Sequence, residues 1–387
     1  MEKLAQISPS MPSRAVIAID RAVSDLRRGS MIVVRDSRHG ETALVQAAEV
    51  IGPDGLAAMV RLTGSQPSLT LTRNRVAALL SAPGEAAIQS FALPVGSSSG
   101  FVQNLADPIA SLASDPDLKS EDEHRNLSVV QEPDEGLAAL SIRIAKFARL
   151  LPAMVVARVP GLEVAEARAW AVDRGLLLVD TSDIRDYPDE IARSLSRVAD
   201  ARVPLAEAED CRIVAFRPAD GGIEHLALVI GTPDPTAPVL TRLHSQCLTG
   251  DLLASLRCDC GEQLRGAIHE IAQAGGGVVI YLAQEGRDIG LINKLRAYEL
   301  QDHGFDTIDA NRQLGFDDDE RVYRPAAVIL QALGMTQVRL MTNNPGKLEQ
   351  LAAHGINVVD RVPHIFQSND HNAAYLQTKF ERGGHLV

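Results

Sequence analysis

Apolar positions along the chain alternate between helical spacing and short continuous runs. From Ala15 to Arg28, residues Ile17, Ala18, Ala22, Val23 and Leu26 share one side of a predicted helix. Met31 to Val34 reads as a strand that ends in the polar turn Arg35-Asp36-Ser37-Arg38-His39-Gly40. Ala43 to Ile51 resumes an apolar run, and Pro53-Asp54-Gly55 marks a turn before another helical segment. Leu137 to Leu151 has amphipathic helical spacing, and Pro152 to Val159 reads as a buried strand. Val164 to Arg174 predicts a helix, and Gly175 to Asp180 a second buried strand. This alternation predicts a sheet with helical crossovers.

The pattern breaks twice. Gln103 to Glu135 is polar, with Lys119 to Arg125 wholly charged or polar, and predicts a long exposed loop. Ser194 to Glu209 is charge-rich and reads as an inter-domain connection. Beyond it, Cys211 to Phe216, His225 to Ile230 and Val239 to His244 predict strands, with turns at Asp220-Gly221-Gly222 and Asp234-Pro235. Helices then alternate with strands Val278 to Leu282 and Val338 to Thr342. No repeat of fixed period is present. The expected fold class is α/β in two domains, 1–196 and 197–387, each a mixed sheet with helical crossovers.

Composition narrows the function. The 387 residues are 45% hydrophobic and 23% charged, ordinary for a globular chain. A net charge of −12 argues against a nucleic-acid coat or a binder of anionic membrane, though not against a small basic pocket. No apolar run approaches the roughly 20 residues of a membrane span. The best candidate, Leu150 to Val159, is short and contains Arg158. Met1 to Arg14 lacks the apolar stretch of a secretory leader. The expectation is a cytoplasmic protein with neither nucleic acid nor membrane as partner.

Three of the four cysteines, Cys247, Cys258 and Cys260, fall within fourteen residues as Cys-x10-Cys-x-Cys. A catalytic zinc takes three protein ligands and keeps one position open, whereas a structural zinc takes four. Cys211 lies 36 residues upstream of Cys247, and His244 could supply a fourth ligand, so both kinds of site stay open. Asp259, between Cys258 and Cys260 in a polar stretch, argues against three core thiols. Zinc-activated water would attack an electrophilic carbon.

Two turns downstream suit a polar ligand. Tyr281 to Gly290 breaks at Gly286 and carries Glu285 and Arg287 before a helix, whose N-terminus favours anions. Thr342-Asn-Asn-Pro-Gly-Lys347 follows a strand and offers backbone N–H groups, a hydroxyl and an ammonium to phosphate. Taken alone, the first turn is weak evidence, since many strand–helix turns carry Gly and charges, and the second is equally readable as a plain strand–helix turn.

Together the blocks are specific. Arg242 to Asp251, Ser255 to Gly261, Gln284 to Leu291, Asn293 to Asp302, Asp319 to Arg321 and Thr342 to Lys347 resemble GTP cyclohydrolase II, in order, over about Arg197 to Val387. That family opens the imidazole ring of GTP, releases C8 as formate and removes diphosphate. Its product, 2,5-diamino-6-(5-phosphoribosylamino)pyrimidin-4(3H)-one, is the first intermediate of riboflavin synthesis. The resemblance implies one zinc per subunit on Cys247, Cys258 and Cys260, Mg2+ with the triphosphate, GTP as substrate, and a homodimer. It implies Tyr298 as a proton donor or acceptor in ring opening and Asp319 as proton acceptor. Arg321 is implied as a nucleophile at the α-phosphate. A guanidinium with a pKa above about 12 is a poor nucleophile, so a phosphate clamp is the equal alternative. Arg242, Gln263, Glu285, Arg287, Thr307, Thr342 and Lys347 match nucleotide-contacting positions. Gln246 and Ala283 depart from the family's common Glu and Arg.

In the first half, Asp25 to Asp36 and Ala47 to Ile51 resemble the start of 3,4-dihydroxy-2-butanone 4-phosphate synthase. The family's acidic metal-binding loop is replaced here by Arg35 to Thr42, and Arg158 stands where its catalytic Glu is expected. Hard cations need clustered oxygen ligands, which base and hydroxyl do not supply. The expectation is an inactive scaffold or dimerisation domain. The alternatives are a bifunctional riboflavin enzyme and a nucleotide-binding regulator that no longer turns over.

Overall fold

The computed structural model describes residues 12–80, 84–113 and 128–365. The expectations for a leader before residue 12 and for Lys119 to Arg125 lie outside those residues.

Two mixed seven-stranded sheets carry the chain, so the fold is α/β. The first comprises β1 (Ile32–Asp36), β2 (Glu41–Ala47), β3 (Ser68–Thr72), β4 (Ile88–Ala92), β5 (Val129–Glu132), β6 (Ala153–Arg158) and β7 (Leu178–Asp180). Their order is β5-β4-β3-β6-β2-β1-β7, antiparallel except for the β1–β7 pair. Val34, Val45 and Val156 point to a core completed by the helices Arg14–Arg27 and Leu137–Phe147. Their neighbours Val33, Leu44 and Val155 point to the opposite core, with Met59 and Val102. Both faces are covered, which is why β1 and β6 read as continuous apolar runs. Ser13 caps the first helix by accepting from the Val16 N–H. That helix buries Val16, Ile19, Ala22, Val23 and Leu26, with Ile17 and Ala18 half-buried at the margin.

The second sheet comprises β8 (Ser196–Arg202), β9 (Cys211–Arg217), β10 (His225–Gly231), β11 (Val239–Ser245), β12 (Gly276–Leu282), β13 (Gln337–Met341) and β14 (Asn357–Val362). Its order is β14-β13-β11-β12-β10-β9-β8. The β14-β13-β11-β12 half is parallel, and the β12-β10-β9-β8 half antiparallel. Ser245 pairs with Leu282 and Arg242 with Met341, so β11, β12 and β13 run side by side in one direction. The chain leaves all three at their carboxyl ends, where open α/β sheets bind ligands.

Two expectations are corrected. Gln103 to Glu135 is not one long loop: it contains the end of the helix Ser99–Ala106, the helix Pro108–Ala113 and β5. Ser194 to Glu209 is not merely a connection, because it contains β8. Both strands are sheet edges with one partner each, and their buried residues are Glu132 and Ser196, so no apolar pattern marks them.

The contacts divide the chain into two compact units. One holds Ser13–Tyr187 together with Ile292–Asp319. The other holds Pro188–Leu291 and, among the described residues, 320–365. The sheets separate between Asp180 and Ser196, but the segment 292–319 packs with the first.

Candidate functional site

Beyond β11 the chain coils into the wide helical turn Leu248–Leu252, capped by Cys247, whose sulfur accepts the Gly250 N–H at 3.3 Å. Cys258 follows, and Cys260 opens the helix Cys260–Gln273. The three Sγ atoms lie within 4.8 Å of one another, and those of Cys247 and Cys258 are 3.7 Å apart. Thiolates at about 2.3 Å from a tetrahedral zinc stand roughly 3.8 Å apart, so the set fits such an ion. Gly250 makes the convergence possible: a Cβ there would meet Cys260 Cβ at 2.8 Å, Cys258 Sγ at 2.9 Å and Cys247 Sγ at 3.1 Å. Gly261 packs as tightly, since its Cβ would stand 2.3 Å from the Gly250 carbonyl.

Hydrogen bonding to Cys247, with burial, pushes the Cys258 thiol up to about 11. Cys260 is raised well above its ordinary value by Cys247, Cys258 and burial. Three crowded sulfurs resist sharing negative charge, and a divalent cation is the group that compensates it. His244 is occupied elsewhere, with Nε2 3.0 Å from Asp251 Oδ1. Among the described residues, the candidate ligand group comprises the three cysteines. Cys211 is a buried thiol of the hydrophobic core between the second sheet and its helix.

Hydrogen bonds brace this turn against the sheet. Asp251 Oδ2 accepts from the Cys247 N–H at 3.0 Å and from the Tyr281 hydroxyl at 2.9 Å. His244 and Tyr281 are cross-strand partners with stacked rings, 5.6 Å between centroids. Arg242, two residues before His244 on the same face of β11, donates to Gln263 Oε1 at 2.6 Å, and Gln263 donates to Asp259 Oδ2 at 2.5 Å. Burial lowers His244, and Asp251 only partly offsets it; burial and the Asp251 charge raise Tyr281.

The turn after β12 is tied to the cysteine turn, because Glu285 Oε2 accepts the Leu248 N–H at 2.6 Å. Gly286, Arg287 and Asp288 have φ of 66°, 61° and 76°. Each non-glycine there costs roughly 1–2 kcal/mol, and such strain concentrates at functional sites. Ala283, where the family commonly has Arg, is buried and donates its N–H to His225 Nδ1 at 3.0 Å.

Cations gather at the same edge. Lys347 is buried and donates to the Leu243 carbonyl at 3.0 Å. Its ammonium lies 5.5 Å from the Tyr323 ring centroid, and the Arg321 guanidinium lies 5.7 Å from that ring. Burial lowers Arg242 to about 10, with Arg321 contributing. The Arg242 Nε is buried without a hydrogen-bond partner. Thr342 accepts the Asn344 N–H at 3.0 Å, and Asn344 caps the helix Pro345–Ala353 through the Gly346 N–H. Concentrated positive charge with few solvating partners suits a polyphosphate.

One compact unit therefore holds the three cysteines with Arg242, Gln263, Glu285, Arg287, Arg321, Thr342 and Lys347. Tyr298, Thr307 and Asp319 belong to the other. Tyr298 is half-buried on the helix Leu291–Asp302, with the Lys294 ammonium 5.7 Å from its ring centroid. Thr307 opens the helix Thr307–Gln313, and Asp319 is exposed. In that unit Arg158 pairs with Glu132 at 3.0 Å and Glu41 at 3.7 Å, Arg35 pairs with Asp180 through both carboxylate oxygens, and Asp36 meets His39 at 2.8 Å. Sequence reasoning missed Gly250, Asp251, Tyr281 and Tyr323. Thr249-Gly250-Asp251 between the cysteines was the available signal for the first two, and Tyr323 lies two residues past the Asp319 to Arg321 block.

The profile of the GTP cyclohydrolase II family matches residues 196–363. The chain is 50% identical to GTP cyclohydrolase-2 of Azospirillum brasilense over 97% of its own length and 95% of the relative's. It is 36% identical to riboflavin biosynthesis protein RibBA of Nocardia farcinica (strain IFM 10152), covering 95% of each. Among solved structures, RibBX, a two-domain 3,4-dihydroxy-2-butanone 4-phosphate synthase from A. baumannii, is 18% identical with a TM-score of 0.36. That likeness covers 90% of this chain and 99% of that one, and it is too slight to bear on the fold. Among the described residues no helix is long and apolar enough to cross a membrane.

Proposed function

Since this chain belongs to the GTP cyclohydrolase II family, an enzyme family of riboflavin biosynthesis, we propose that it hydrolyses GTP to 2,5-diamino-6-(5-phosphoribosylamino)pyrimidin-4(3H)-one, formate and diphosphate. The observation that carries this reading is the convergence of Cys247, Cys258 and Cys260 around Gly250, beside the buried cations of the β11 and β13 ends. Zinc held by the three thiolates supplies Lewis-acid activation of water for attack at guanine C8. Two hydrolyses at C8 release formate and one at the α-phosphorus releases diphosphate.

Tyr298 moves a proton during ring opening. Glu285 and Gln263 recognise the guanine edge, which needs donors and acceptors together. Arg242, Arg287, Thr307, Thr342 and Lys347 bind the nucleotide, and Mg2+ would supply further charge neutralisation to its triphosphate. Arg321, half-buried against Tyr323 and beside other cations, is better suited to clamp phosphate than to attack it, and Asp319 accepts a proton from the attacking water. The enzyme acts in the cytoplasm as a homodimer. The first unit carries no synthase chemistry: Arg158 and Arg35 form ion pairs where a metal-binding loop would need free carboxylates.

The test is to incubate zinc-loaded protein with GTP and Mg2+ and quantify all three products. Equal amounts of formate, diphosphate and pyrimidine are expected. Tight GTP binding without any product would replace the enzyme with a regulator.

A further inference from the structure

Asp251 has no assigned part in the reaction, yet its bonds converge on one cysteine. Its own N–H donates to the Cys247 carbonyl at 2.7 Å, and its carboxylate accepts the Cys247 N–H. Both backbone ends of this cysteine are thus held by one residue four positions on. The carboxylate is seated in turn on the sheet, by His244 of β11 and Tyr281 of β12. Those two are paired partners on adjacent parallel strands with stacked rings, which is a rigid base. The side chain is 7% exposed, so its charge depends on these donors rather than on water.

We propose that Asp251 is a positioning residue that fixes the Cys247 sulfur for metal binding, with His244 and Tyr281 fixing Asp251. The inference rests on the metal reading of the cysteines. Removing the carboxylate frees the Cys247 N–H, and the turn that also carries Gly250 loses its tie to the sheet. The sulfur then spends less time at the separation from Cys258 that one ion requires. Asparagine keeps the volume but turns an amide donor toward groups that themselves donate.

The experiment is chelator-competition measurement of zinc affinity on the full chain, wild type against Asp251→Asn and Tyr281→Phe. It is paired with absorption spectra of the Co(II)-loaded forms. Loss of an outer partner of this kind costs about 10–100-fold in metal affinity. Asp251→Asn is expected in that range, with shifted Co(II) ligand-field bands. Tyr281→Phe removes one donor, leaves the backbone bonds intact and is expected to lose a few-fold, which keeps the test decisive if the asparagine variant does not fold. Unchanged affinity and spectra, with only a lower melting temperature, would overturn the proposal and leave Asp251 structural. A wild type that binds neither metal would instead sink the metal reading itself.

Discussion

Gly250 stands so close to Cys258 that a Cβ on it would lie 2.9 Å from the sulfur. Gly250→Ala must therefore push Cys258 or the Cys247 turn outward. Over-packing of this kind costs about 1–3 kcal/mol. The larger effect is on metal: bound zinc should fall at least 10-fold at limiting concentration, on the order seen when a metal's supports are disturbed. Metal analysis after gel filtration checks it, and full occupancy would refute the cradle.

Cys258→Ser replaces a thiolate with a neutral hydroxyl, a poor zinc ligand. Formate release should fall by at least roughly 100-fold with loss of bound metal. Retained formate release from metal-free protein would end the zinc mechanism.

Tyr298→Phe removes a proton donor and keeps the ring. Formate production should drop by about 10²–10⁴-fold, with a smaller loss of diphosphate release. Equal losses of both would contradict the separation of roles.

Ala254 holds a left-handed φ of 54° just past the cysteine turn and is exposed. Glycine relieves that strain and gives back part of the gain as unfolded-state entropy. Ala254→Gly should raise stability by about 0.5–1 kcal/mol, a melting shift of about 1–3 °C. A lower melting temperature would mean the methyl group packs usefully.

His364 is buried, donates through Nε2 to the Gln263 carbonyl at 2.9 Å, and has its pKa lowered by burial from 6.5 to about 4. Its Nδ1 lies 3.5 Å from Glu270 Oε1; the Gln263 hydrogen bond and the Asp259 charge favour the cation but are outweighed by burial and by the charge of Arg242. Between those values the unfolded chain binds the extra proton. The contribution is therefore complete above about pH 6.5 and fades as pH falls toward 4, by up to roughly 3 kcal/mol. Chemical unfolding of wild type and His364→Gln from pH 8 to pH 5 should show a shallower decline in the variant. Parallel curves would reassign the acid sensitivity.

Local chemistry was legible in the chain itself. Continuous apolar runs announced β1, β6, β10 and β12, because strands covered on both faces carry no polar alternation. The spacing of Cys247, Cys258 and Cys260 announced a candidate metal site, since the three thiols come from one short segment. The edge strands β5 and β8 stayed hidden because their stability comes from a neighbouring strand, not from their own side chains. Tertiary structure alone decided that 292–319 packs with the first sheet. It alone also showed that Asp251 is held by His244 and Tyr281, whose meeting depends on two strands separated by a helix coming side by side. Propensity acts between neighbours along the chain, whereas these choices are made by burial and hydrogen bonding between residues far apart in it.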